Sequence, residues 1–154
     1  MGTVNDAARM AVQAWSRGST PSETHPVIVQ YQLYGFSLKE LHRIVLVPLR
    51  TITGEIRNLL SVRSTGDMRT LESSKVDGLF WFNGSEFPDS GNLYICEDFR
   101  AAATIRNLMG WDAVAAVTAD NVPQVVRAIR AHYPGLNLIV LAGQRVAPST
   151  GRAI

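Results

Sequence analysis

Glu97 and Asp98 stand side by side in YICEDFRAAATIRNLMG, where an apolar run gives way to a helical pattern. A carboxylate at the end of a buried strand, beside a helix N-terminus, can hold Mg²⁺ or act as an acid or base. It can equally be a solvated group steadied by the helix dipole. Strand alternation aims neighbouring side chains in different directions, so the two do not form a metal pair, and Asp98 is placed to cap the helix that follows. His25, His42 and His132 are far apart and lack metal-ligand spacing. Cys96 lies inside a strand and reads as a small core residue. ITG, STG and FNGS are ordinary turns and do not make a phosphate loop. Phe80, Trp81 and Phe82 either stack on bases or form the aromatic core of a strand. Arg50, Arg57, Arg63, Arg69 and Lys75 form a phosphate-binding patch if they share a face, and are solvated charges if they do not.

The elements that must position these groups follow from periodicity. VNDAARMAVQAWSRG predicts a helix with Val4, Ala8, Ala11, Val12 and Trp15 on one face and Gly18 as the stop. VIVQYQLYGFSLKELHR predicts short helices, Ser37 capping the one that holds LKEL. IVLVPLRT and EIRNLLSVR flank a turn at Gly54 as a hairpin, and Pro48 calls for an edge or a bulge because it lacks an N–H. STGDMRTLESSKVDG reads as a loop, and LFWFNGS as a further strand. Then LYICE, AVAAVTA and LNLIVLAG alternate with two helical stretches, each ended by a glycine, Gly110 and Gly135. Such alternation marks βαβ units and a buried parallel sheet. In the second of these helices Val122, Val125, Val126 and Ile129 share a face. Function in such sheets collects at the carboxyl edge, which places Glu97–Asp98, 118–121 and 143–146 together.

A length of 154 residues suits one domain with a real core: a helical segment over 1–43, an antiparallel β region over 44–90, a βαβαβ core over 91–147 and a tail over 148–154. Hydrophobic residues at 46% and charged ones at 18% are ordinary for a globular protein and exclude a low-complexity or disordered chain. The sequence lacks a transmembrane-length apolar run and the pattern of a signal peptide, and its single cysteine fits a reducing cytoplasm. A net charge of +2 permits nucleic-acid binding without demanding it.

LYICEDFRAAATIRNLMG resembles the first motif of Toprim domains, above all those of phage and plasmid primases. There a strand ends in Glu, followed by Gly, an aromatic and an Ala-Thr-Ala-like helix start. AVAAVTADNVPQVVRAIRAHYPGLNLIVLAG continues the resemblance, with Asn121 at the place of an often retained Asn. Upstream, THPVIVQYQLYG, VLVPLRTITGEIRNLLSV and GDMRTLESSKVDGLFWFNG are similar to the segments that precede the core in the same proteins, so that residues 8–147 are covered in order.

The resemblance implies an α/β fold: a Toprim-like parallel sheet flanked by helices, with an N-terminal helical segment and an antiparallel β appendage. It also implies Mg²⁺, held by the motif Glu and an Asp-x-Asp pair after the third core strand. At that pair this chain carries Gln144, Arg145 and Val146, and a neutral amide, a cation and an isopropyl group do not replace two anionic ligands. Asp98 replaces the family's Gly and Arg100 falls where its Ala-Thr begins. The expectation is therefore a catalytically degenerate Toprim-like protein of a mobile element, without cofactor or metal. It would bind within nucleic-acid machinery, as inhibitor or accessory of a replication or host-defence complex, through Glu97, Asp98, Arg100, Asn121, Gln144 and Arg145. The alternatives are an active Mg²⁺-dependent primase module and a direct DNA- or RNA-binding protein.

Overall fold

The computed structural model describes residues 4–72 and 75–141. Its elements run α1 (Val4–Arg17), α2 (Pro26–Tyr31), β1 (Lys39–Leu41), β2 (Ile44–Arg50), β3 (Ile56–Val62), β4 (Met68–Thr70), β5 (Trp81–Phe82), β6 (Gly91–Cys96), α3 (Phe99–Met109), β7 (Ala113–Ala115), α4 (Val122–His132) and β8 (Leu136–Val140). They build two four-stranded sheets, an antiparallel one ordered β1-β2-β3-β4 and a mixed one ordered β5-β7-β6-β8. In the second sheet β6 pairs in parallel with both β7 and β8, while β5 runs antiparallel to β7. No helix among the described residues is long and apolar enough to cross a membrane.

Period-two alternation divides the core cleanly. Cys96, Ala113 and Ala115 face α3 (Phe99, Ala102, Ala103) and the inner face of the antiparallel sheet, where Val45, Val47, Leu60 and Val62 are buried. Leu93, Ile95, Val114 and Ala116 face the other way, onto Val125 and Ile129 of α4. The helices after β6 and β7 thus cover opposite faces of one sheet. The crevice between the carboxyl ends of those two strands is where open α/β sheets bind ligands.

Several local expectations change. LKEL forms a strand: Lys39–Leu41 pairs with Ile44–Leu46, and Glu40 also bridges to Ser19, because sheet pairing outweighs a weak helical pattern. Met68–Thr70, expected in a loop, pairs with β3. Trp81–Phe82 joins the parallel strands instead of the antiparallel sheet, and the Arg50–Phe80 bridge links it back. α1 packs through Ala11, Ala14 and Trp15 onto Leu46 and Leu59, while Val12 is turned to solvent. Gly110 caps α3 in the left-handed region at φ 72°, whereas α4 ends at Tyr133, before Gly135. Pro48 behaves as its chemistry requires. β1 pairs with β2 only as far as Leu46, and the register shifts at Leu49/Arg50.

Candidate functional site

At the carboxyl end of β6 the chain passes through Glu97 and Asp98 into α3. Asp98 is the N-cap: its Oδ1 accepts the Arg100 N–H at 2.9 Å, satisfying one of the four donors a helix start leaves open. The same carboxylate holds the Arg100 guanidinium, with Nε 3.2 Å from both oxygens and Nη2 3.0 Å from Oδ2. Arg100 also lies over the Tyr31 ring at 5.8 Å, which ties α2 to the start of α3. The hydrogen bond to Asp98 raises the Arg100 pKa above its usual value.

Across the crevice the end of β7 turns sharply. Thr118 N donates to Ala116 O at 2.8 Å over Val117, whose φ is 63°. A β-branched residue at positive φ is strained, and an i to i+2 bond over such a residue is the rare form of γ-turn. Asn121 holds the turn in place. Its Nδ2 donates to Ala116 O at 3.0 Å and Leu79 O at 2.9 Å, and its Oδ1 accepts Gly78 N–H at 2.7 Å. At 1% exposure the side chain is enclosed, so Asn121 positions the edge and does not present itself to a ligand.

Glu97, Asp98, Arg100, Val117 and Thr118 form one wall of a cleft of about 790 Å³. The other wall is the rim of the antiparallel sheet, with Leu60, Met68, Arg69 and Thr70. Arg69 pairs with Asp67 at 3.0 Å while remaining largely exposed. The cleft is therefore lined by Arg as well as by carboxylates, and its floor is apolar. Among the described residues no three His, Cys, Asp or Glu side chains are grouped to hold a metal ion. Gln144, Arg145 and Val146 lie outside the described residues.

The five basic residues of the β region do not gather into one patch. Arg57 falls at the register shift opposite Leu49/Arg50, where strand alternation breaks, Arg69 lies on β4 at the rim of the cleft, and Arg63 lies just beyond the end of β3. Arg50 sits at the opposite corner with Nη1 on Gly54 O at 2.9 Å, and Lys75 follows β4 beside the buried Asn58. Phe80 and Trp81 are core residues at 4% exposure, and Phe82 is half-buried. His25 caps α2, its Nδ1 accepting Val27 N–H at 3.1 Å and its Nε2 reaching Arg43 O at 2.8 Å.

Sequence reasoning missed two further buried asparagines. Asn58 Nδ2 donates to Glu72 O and Lys75 O, and its Oδ1 accepts Leu59 and Leu71 N–H, fixing the segment after β4. Asn83 Nδ2 donates to Ala102 O and Trp111 O, and its Oδ1 accepts Ala113 N–H. Their signal is only an Asn inside an apolar stretch.

The architecture has solved counterparts. The primase fragment of the bacteriophage T7 primase-helicase protein is similar at TM-score 0.51 and 15% identity, over 71% of this chain and 48% of that one. The fold is primase-like. A second similar structure is that of the bacteriophage T7 lagging-strand DNA polymerase interacting with primase domains bound to an RNA/DNA hybrid and dTTP, at TM-score 0.50 and 15% identity, over 71% and 58% of the two chains. This chain spans about half the length of these counterparts. No family model matches the sequence.

Proposed function

We infer that the chain is a catalytically degenerate, Toprim-like component of nucleic-acid machinery that works by binding, as inhibitor or accessory, through the cleft at Glu97–Arg100. The observation that carries this reading is the commitment of Asp98 to the α3 cap and to Arg100. The Mg²⁺ that a Toprim site would hold does not fit the residues present. In the Toprim resemblance Gln144 and Val146 stand where the Asp pair would be. Asp98, the carboxylate next to the motif Glu97, is taken by the α3 cap and by a guanidinium at 3.0 Å, so it does not make up for the missing ligands. The primase-like fold supports a place in nucleic-acid machinery, and the apolar floor between charged walls supports a macromolecular partner in the cleft.

Direct binding of DNA or RNA is the second reading, favoured by Arg69 and Arg100, both of which line the cleft and are substantially exposed. Calorimetric titration with Mg²⁺ and Mn²⁺, beside a primer-synthesis assay, tests the first reading. It predicts no saturable binding at physiological metal concentrations and no product. Saturable Mg²⁺ binding that Glu97→Gln abolishes establishes an active module instead.

A further inference from the structure

A second groove lies at the opposite end of the mixed sheet. β5 runs antiparallel to β7, and Asn83 N–H bonds Ala113 O, so the chain leaves β5 at the amino end of the parallel strands, remote from Glu97. There the loop after β5, the end of α3, the end of β2 around Pro48 and Arg50, and residues 34–37 line a groove of about 650 Å³, a volume typical of small-molecule pockets.

Its walls are aromatic and cationic. Tyr34, Phe36, Phe82 and Phe87 line it, with Phe36 set edge-on to Trp81 at 5.3 Å and Phe82 to Phe87 at 5.0 Å, so the rings form a fixed frame. The charged side chains among its lining residues are Arg50 and Arg106, and no carboxylate is among them. Arg106 has its counter-charge, Asp112 at 2.6 Å, and donates to Gly110 O at 3.0 Å, with its buried Nε left without a partner among the described residues. Gly84 presses the loop against it, for a Cβ there would stand 2.5 Å from Arg106 Nη2.

Arg50 is different. Among the described residues its guanidinium has one partner, the Gly54 carbonyl, and no carboxylate within ion-pairing distance. Burial lowers its pKa, as expected for a cation drawn out of water without a counter-charge. An arginine with unused donors beside flat apolar rings complements an anion joined to an aromatic body. Ser37 and Ser85 line the same walls, as does Asn107, whose Nδ2 donates to Gln32 O at 2.8 Å, and the serine hydroxyls suit the hydrogen-bonding edge of a base.

We propose that this groove binds a nucleotide, with Arg50 on the phosphate and the base against the Phe36 and Phe82 rings. The site is separate from the Glu97 cleft, so it stands or falls independently of the function proposed there.

The test is calorimetric titration and amide chemical-shift mapping with AMP, GMP, CMP and dTMP, and with adenosine, inorganic phosphate and phosphotyrosine as comparison probes. At least one nucleotide should saturate the protein, with shifts concentrated at 34–37, 50–52 and 82–87. Adenosine and phosphate alone should each bind about tenfold more weakly or worse, since each forfeits one half of the contacts. Arg50→Ala should weaken nucleotide binding about tenfold or more, Arg50→Lys less, and the exposed charge control Arg127→Ala not at all. The proposal is overturned if no nucleotide saturates, if the shifts fall at 97–100, or if a folded Arg50→Ala binds as wild type. Phosphate or phosphotyrosine binding as tightly as every nucleotide overturns it too. Should Arg50→Ala not fold, Phe36→Leu takes its place and must reduce nucleotide affinity while leaving that for phosphate unchanged.

Discussion

The Asp98 carboxylate takes the Arg100 N–H in the first turn of α3 at 2.9 Å and the Arg100 guanidinium at 3.0 Å, so one side chain both starts a helix and neutralises a cation. The two roles separate by substitution. Asp98→Ala should cost about 1 kcal/mol, the usual worth of an N-cap, because the exposed ion pair adds little in water. Asp98→Asn should retain most of the cap and lose the pair. Urea unfolding of the three proteins checks this, and a loss equal in both variants would place the stabilisation in the ion pair instead.

Asn121 ties Gly78, Leu79 and Ala116 together from within the core. Asn121→Ala leaves a buried N–H and two carbonyls without their partner and should cost about 2–4 kcal/mol. Hydrogen exchange should quicken at Gly78 and around the Val117 turn before the rest of the sheet responds. Asn121→Asp should be no better, since a carboxylate cannot donate to the two carbonyls.

Cys96 is buried at 1% exposure, and burial, with Asp98 adding to it, pushes its thiol from 9.0 to about 11. A thiol whose folded pKa is raised favours the fold while it stays protonated. That contribution is complete below pH 9 and is lost as pH rises through 11. Iodoacetamide should therefore leave Cys96 unmodified in native protein at mildly alkaline pH and label it at once in urea. Rapid labelling of the native chain would contradict the packing described for β6.

The parallel core was legible because its signals are strong and local: three apolar strands, two amphipathic helices, and glycine at the end of α3. The N-terminal half was less so. LKEL carries only two apolar positions, and what decides its conformation is β2 and Ser19, partners that local periodicity does not register. LFWFNGS was recognisable as a strand, but its choice of sheet depends on β7, some thirty residues further along. At the site, Asp98 as a cap followed from its place before a helix. Arg69 on the far wall did not, because the sheet rim that brings it there is a tertiary arrangement. Asn58 and Asn83 were unreadable for a related reason: a buried amide is defined by the backbone groups around it.

The most direct test of the account is co-purification from the native host after nuclease treatment, at low and moderate salt, with wild type and with folded Arg69→Glu and Arg100→Glu. An interface with an apolar centre is screened little by salt, whereas phosphate contacts weaken steeply with it. The account predicts that a component of nucleic-acid machinery stays bound to wild type after nuclease and at moderate salt, and is lost from both variants. Recovery that vanishes with nuclease, beside tight and steeply salt-dependent binding of DNA or RNA by the pure protein, would contradict it and assign the chain to direct nucleic-acid binding.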